Sequence, residues 1–351
     1  MPIDARKSTE RPAGSAAHRL MMARLKERLA DIKAVLPTER PLVYLDYPVH
    51  DNVGDLLIHQ GADAFLEDHG YRVLGEFSTH DFCERIVKTE PNVRLKPSIR
   101  RLDELVAKHN ATIVMHGGGN FGDIWPEFQQ FREFIVQRYP NTRIVVFPQS
   151  IHFGSPDAQA RAADLFGRHR QLFIFVRDAE SLSFVRDECG LPGEIMPDMA
   201  HQLWGRLPAS GQGNGEMLVQ RRRDKETRDT GRVDRTAFDW DDLKNANDVF
   251  TIRALRKWQV IDNPLQGVVS NYALWRIFRD KLIRRAVDKL EPYAGIDTDR
   301  LHGMILGALM AKQVRFGDGH YGKLHRYHRA WLGTSDLIES ADRQDSACPG
   351  A

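Results

Sequence analysis

Residues 41–69 read PLVYLDYPVHDNVGDLLIHQGADAFLEDH. Pro41–Tyr47 has the compact apolar run of a buried strand, Pro48–Gly54 is a polar loop, and Asp55 to about His69 repeats apolar residues at helical spacing. Strand, polar loop and helix in this order are a nucleotide-fold opening. The unit recurs: Tyr71–Gly75, Ala111–Met115, Arg143–Phe147 and Leu172–Val176 read as short buried strands, and Pro126–Tyr139 and Asp157–His169 as helices between them. Such alternation predicts an α/β fold with a parallel, doubly wound sheet, whose ligands lie in the loops after the strand C-termini.

At 351 residues the chain exceeds what one hydrophobic core usually covers, so two domains are expected. Ser181–Cys189 continues as a helix and Glu194–Met196 as a short strand. The Gly-, Pro- and Ser-rich stretch 205–215 is the expected linker between an N-terminal domain, 41–204, and a C-terminal one, 216–334. In the second half Met217–Gln220 reads as a strand, Asn271–Leu290 as a long helix stopped before Pro292, and Gln313–Phe316 as another short strand. After Gly333 a short helix and a polar tail, 335–351, are expected.

Residues 1–40 form an N-terminal extension. Met21, Leu25, Leu29, Ile32 and Leu36 recur at helical spacing with Arg24, Lys26, Arg28 and Lys33 between them, an amphipathic helix ended by Pro37. Such a helix can pack on its own domain, on a partner helix, or on the inner face of a membrane.

Apolar residues make up 42% of the chain and charged residues 28%, a globular balance. With 50 basic and 48 acidic residues there is no global field for nucleic acid, so any anion selectivity must be local. Three cysteines are too few for a disulfide framework or zinc cluster and fit a reducing, cytoplasmic setting. His50, His59 and His116 lack the spacing of a metal site, and no metal or cofactor is expected.

Thr298–Gly303, TDRLHG, runs into the small apolar stretch Met304–Ala311 as a helix start, with Thr298 or Asp299 as cap. A helix N-terminus beside Arg300 and His302 suits an anionic substrate, the fork binding carboxylate or phosphate and the imidazole transferring protons near neutral pH. In ATIVMHGGGNFGD, 111–123, a strand empties into Gly117, Gly118, Gly119 and Asn120, where backbone N–H groups can approach an anion or sugar. In DNVGD, 51–55, Asn52 or Asp55 can cap the next helix or bond a sugar hydroxyl, with Asp55 a candidate base. Arg177, ending FIFVR, can clamp an anion or pair with Asp178 or Glu180; Ser181 stands a turn further on. Arg221 opens an arginine triplet after a strand, and Lys323 follows Tyr321 and Gly322 as a point charge for phosphate.

Taken in order, DNVGDLLIHQG (51–61), IVMHGGGNFGD (113–123), VVFPQS (145–150), VRDAES (176–181), TDRLHGMILG (298–307) and YGK (321–323) make the chain resemble the polysaccharide pyruvyl transferase family. The resemblance implies two Rossmann-like domains facing a central cleft, similar to the GT-B architecture. It also implies phosphoenolpyruvate as donor substrate and, as acceptor, a sugar of a surface polysaccharide or its lipid-linked oligosaccharide precursor, joined to pyruvate as a ketal. Arg177, Arg300 and His302 match the residues that hold and activate the donor, with the backbone of Leu301 contributing. A GT-B glycosyltransferase using a nucleotide sugar and a non-catalytic glycan- or phosphate-binding protein are the competing expectations.

Overall fold

The computed structural model describes residues 15–82, 97–208, 213–223, 237–260, 271–317 and 322–341. Two parallel sheets organise them. The larger contains β1 (Leu42–Leu45), β2 (Val73–Phe77), β3 (Thr112–Met115), β4 (Gly118–Gly122), β5 (Ile144–His152), β6 (Leu172–Val176) and β7 (Gly193–Ile195). Its order is β2-β1-β3-β5-β6-β7, with β4 also pairing with β5. The smaller holds β8 (Met217–Gln220), β9 (Gly295–Thr298), β10 (Gln313–Phe316) and β11 (Ile338–Ser340), ordered β11-β10-β9-β8.

Every residue of β1 is buried, as a strand covered on both faces requires. Val43 and Leu45 enter one core with Ile113, Met115, Ile144 and Val146; Leu42 and Tyr44 enter the other with Val114, Val145 and Phe147. This second core continues without a break to Leu218, Ile296 and Val314 of the smaller sheet. Because β1 has β2 on one side and β3 on the other, the winding reverses between β1 and β3. The loops after these strands are therefore the expected place for a ligand.

Helix α1 (Ala16–Leu29) is capped by Ser15, which accepts from the His18 N–H, and it buries Met21, Met22, Leu25 and Leu29. Each such side chain contributes roughly 1.5–3 kcal/mol when fully buried. His18 bonds Ser335 Oγ at 2.8 Å and the Ala308 carbonyl at 2.9 Å, while Lys26 donates to the Trp204 carbonyl at 3.2 Å. The apolar stripe considered for a membrane is thus occupied by the protein's own core.

Helix α2 (Val53–Asp68) follows β1, and the short helix α3 (Thr79–Phe82) follows β2. Helices α4 (Pro97–His109), α5 (Pro126–Arg138) and α6 (Pro156–Gly167) fill the crossovers of the larger sheet, and the short α7 (Ala179–Ser183) follows β6. In the second half α8 (Ala246–Val260) and α9 (Asn271–Leu290) lie between β8 and β9, α10 (Leu301–Leu309) follows β9, and α11 (Lys323–Tyr327) follows β10.

Four expectations need correction. The glycine stretch is itself a strand, β4, because glycines let it run close beside the extended end of β5. Thr298, expected at the opening of the helix start, instead ends β9, a central strand whose Gly295, Asp297 and Thr298 give it no apolar run. Neither Thr298 nor Asp299 caps α10: Arg300 holds that position, and Thr298 Oγ1 accepts the Arg300 N–H at 3.0 Å. Ile338–Ser340, read as polar tail, pairs with β10 as the edge strand β11. Residues 342–351, Tyr321 and the polar segment 224–236 lie outside the described residues.

Candidate active site

A cavity of about 610 Å³ opens where the strand ends of both sheets supply its walls. The loop after β1 and the start of α2 bring His50, Asp51, Asn52 and Asp55; β4 brings Gly119 and Asn120; Arg177 directly follows β6. From the smaller sheet come Arg222 after β8 and Arg300, Leu301 and His302 after β9, with Lys323 at the start of α11. Arg177, Arg222, Arg256, Arg300 and Lys323 outnumber the carboxylates Asp51, Asp55 and Glu127, so the pocket favours an anion although the whole chain is nearly neutral.

Arg177 is fully buried. Its Nη1 donates to Asp198 and its Nε to Ser150 Oγ at 3.1 Å, but Nη2 has no partner among the described residues. That orphan nitrogen points toward Gly119. A Cβ there would stand 3.3 Å from Arg177 Nη2 and 2.8 Å from Lys323 Nζ, so the missing side chain leaves a cradle between two cations. A buried guanidinium N–H without an acceptor is costly, and an anionic ligand would supply the acceptor.

The second half of the site is held in the same way. Arg300 donates through Nε and Nη2 to the two oxygens of buried Asp239, which fixes the plane of its fork. Among the described residues, the N-cap Arg300 gives α10 no side-chain capping bond. The helix start, with Leu301 and His302 in the pocket wall, thereby offers backbone N–H groups to an anion.

His302 is wedged between the two halves. Its Nε2 is 3.4 Å from Asp198 Oδ2, the oxygen that also accepts from Arg177. Its Nδ1 lies only 2.5 Å from where a Cβ of Gly54 would be, so the first turn of α2 must carry glycine to admit the ring. Burial alone would push the Asp198 carboxyl up. The hydrogen bond and charge of His302, then Arg177 and the Ala200 N–H, outweigh it and hold the group far below the usual carboxylate range.

The remaining residues divide. Asn52 caps α2 by accepting the Gly54 N–H at 3.1 Å and donates to Asp55 at 3.0 Å, so the capping and site roles coincide. Asp55 also faces His50, at 3.5 Å, and Asn120 Oδ1 accepts from buried Arg132 at 3.0 Å. Gly117, Gly118, Ser181 and Arg221 do not line the cavity. Gly117 allows β3 to pass the Pro148 carbonyl; Ser181 Oγ accepts the Ile151 N–H at 2.8 Å; Arg221 pairs with Asp297 at 2.6 Å, leaving its neighbour Arg222 at the cavity. Neither Asp178 nor Glu180 neutralises Arg177. Asp198 does, and sequence reading missed it, as it missed Asp239. Both also cap the short helical turns that follow them.

Asp46, directly after β1, is buried and left-handed at φ 67°. Burial, only partly offset by Arg132 and reinforced by Asp55 and Glu127, pushes its carboxyl up to about 7. The folded state therefore resists its ionisation, a stability penalty that begins near the ordinary carboxylate value of about 4 and is complete above about pH 7. Asp46→Asn, which tolerates the same backbone, should melt higher than wild type, and its advantage should widen from pH 5 to pH 8. Melting curves at the two pH values check this; an advantage that shrinks as pH rises would contradict it.

The two parallel sheets of this α/β protein place a cationic pocket at their C-terminal strand ends. A family model described as polysaccharide pyruvyl transferase matches residues 52–316, and the chain belongs to that family of transferases. EpsO of Bacillus subtilis (strain 168), which carries a pyruvyl transferase name, is 32% identical over 335 residues, 93% of this chain and 97% of its own. Pyruvyl transferase 1 of Schizosaccharomyces pombe is 25% identical over 92% of this chain and 77% of its own. A solved structure from Klebsiella pneumoniae, described as functionally uncharacterised, matches with a TM-score of 0.55 at 17% identity, covering 90% of this chain and 97% of that one; it bears on the fold alone.

Proposed function

We propose that this protein transfers the pyruvyl group of phosphoenolpyruvate to two hydroxyls of one sugar, in a surface polysaccharide or its lipid-linked precursor, forming a ketal. The observation that carries the reading is the convergence of the orphan Arg177 Nη2 and Lys323 Nζ on Gly119, with Arg300 and the start of α10 in the same cavity. The donor has two anionic ends, and the site has two sets of cationic and N–H donors. In this reading residues 41–204 and 216–334 are the two Rossmann-like halves of a GT-B-like arrangement with the cavity between them.

His302 delivers a proton to the methylene carbon of the donor, and positive charge develops at C2. Asp198 Oδ2, 3.4 Å from Nε2, orients the imidazole. One sugar hydroxyl attacks C2, its proton restoring that of the imidazole, with Asp55 as the base candidate. A second hydroxyl then displaces phosphate, which leaves with the second proton, and the ring closes. The atoms balance without metal or cofactor. Trp125, Phe128 and Trp240 in the cavity wall give the apolar face of an acceptor sugar a platform.

Calorimetric titration tests the donor assignment. Phosphoenolpyruvate should bind the protein alone, and uridine diphosphate should not displace it; binding of the nucleotide with indifference to phosphoenolpyruvate would instead favour a glycosyltransferase. Gly119→Ala sharpens the test. Gly119 is not among the positive-φ glycines, so the main chain accepts alanine while the new methyl occupies the cradle. Donor binding should weaken by about tenfold or more, the scale of one misplaced methyl group in a site, with the melting temperature unchanged. Undiminished binding would move the anion away from Gly119.

A further inference from the structure

We infer that the outward faces of α8 and α9 form a docking surface for an anionic lipid membrane. Exposed large apolar side chains among the described residues are Leu20, Phe250, Trp258, Leu274 and Ile277, and four of these five stand on the two helices. Phe250 is 73% and Ile277 63% exposed. On α8, Phe250, Ala254 and Trp258 follow at steps of four residues, with Arg253 and Lys257 in the same stripe; on α9, Leu274 and Ile277 share a stripe with Lys281 and Arg284. The opposite faces are fixed by burial of Ile252 and Leu255 on α8 and of Trp275, Phe278 and Leu282 on α9. The helices adjoin, Asn271 Nδ2 donating to the Leu255 carbonyl at 3.4 Å.

Charge identifies the occupant. Every exposed charged residue described on these helices as far as Arg284 is basic: Arg253, Lys257, Arg276, Lys281 and Arg284. Arg276 and Lys281 also reach Asp63 and Asp248 beneath them, which leaves the outer edge cationic. A second copy laid face to face would oppose like charges. A surface of acidic lipid headgroups complements the basic residues while its acyl boundary takes the aromatic and aliphatic ones. No helix among the described residues is long and apolar enough to cross a membrane, so the contact is peripheral. The surface also adjoins the cavity: Arg256 of α8 donates to the Val49 carbonyl at 2.8 Å, and both residues line it. Docking there would hold the pocket beside a lipid-anchored sugar, and for this purpose alone the inference rests on the acceptor proposed above.

The test is co-sedimentation of the full chain with vesicles of phosphatidylcholine alone or mixed with phosphatidylglycerol, without donor or acceptor. Wild type should pellet with the anionic vesicles and be released by salt, while Phe250→Ser/Ile277→Ser and Arg253→Glu/Lys257→Glu each lower the bound fraction by about tenfold or more. Their melting temperatures and phosphoenolpyruvate binding should stay at wild-type values, so a failure here is separable from failure of the pyruvyl transfer reading. Absence of vesicle binding, or binding that both variants retain, would overturn the inference. So would a wild-type dimer in light scattering that Phe250→Ser/Ile277→Ser converts to monomer, since that outcome gives the face to a second copy.

Discussion

Replacing His302 with Gln should lower turnover by about 10²-fold or more while donor affinity changes far less. The amide can fill much of the imidazole's space between Asp198 and Gly54, but it cannot give a proton to carbon. In the proposed reading Arg177, Arg300 and Lys323 hold the anionic donor, and the substitution leaves them in place. Gly54→Ala is the companion: its methyl would stand 2.5 Å from Nδ1, so the ring must leave its position with its chemistry intact. Loss of turnover in both variants, with donor binding retained, assigns the effect to placement of the imidazole. Near-normal turnover of His302→Gln would remove His302 from the acid role.

The second large effect is expected on stability as well as rate. Asp198 and Arg177 are both fully buried, and Asp198 Oδ2 accepts from Arg177 while facing His302. Truncation to Ala leaves a buried guanidinium without its counter-charge, a loss of about 3–5 kcal/mol in comparable buried pairs. It also removes the acceptor for the Ala200 N–H. Asp198→Asn keeps an oxygen for that N–H and should fall between wild type and Ala in urea denaturation. The linkage sign follows from the depressed carboxyl: its contribution is present above the ordinary carboxylate range and is lost only as pH falls toward the much lower folded value. The Asn variant should therefore lose less stability than wild type on acidification. Wild-type stability in Asp198→Ala would mean that Arg177 is neutralised by another group.

What could be read from the sequence follows the physics of each signal. Strands such as Leu42–Leu45 and Leu172–Val176 are covered on both faces, so they appear as continuous apolar runs bounded by turn residues. Gly295–Thr298 is as central to its sheet, yet its glycine, aspartate and threonine carry no such run; hydrogen bonding to β8 and β10 defines it. Arg177 was legible because it directly follows the apolar run Leu172–Val176, and Arg300 and His302 because they stand at the start of the apolar helical stretch Met304–Ala311. Their counter-charges were not. Asp198 lies 21 residues from Arg177 and Asp239 lies 61 from Arg300, separations at which only the folded chain decides who meets whom. Arg221 and Arg222 show the same limit at one residue's resolution: just past the end of β8 one pairs with Asp297 and the other lines the cavity.

The most direct test of pyruvyl transfer is phosphate release from phosphoenolpyruvate by the purified protein, with and without a lipid-linked oligosaccharide fraction from its own host, in wild type and Arg300→Ala. Pyruvyl transfer requires release that depends on the acceptor and is lost in the variant. Absence of acceptor-dependent release from a wild-type protein that binds a nucleoside diphosphate tightly would contradict it.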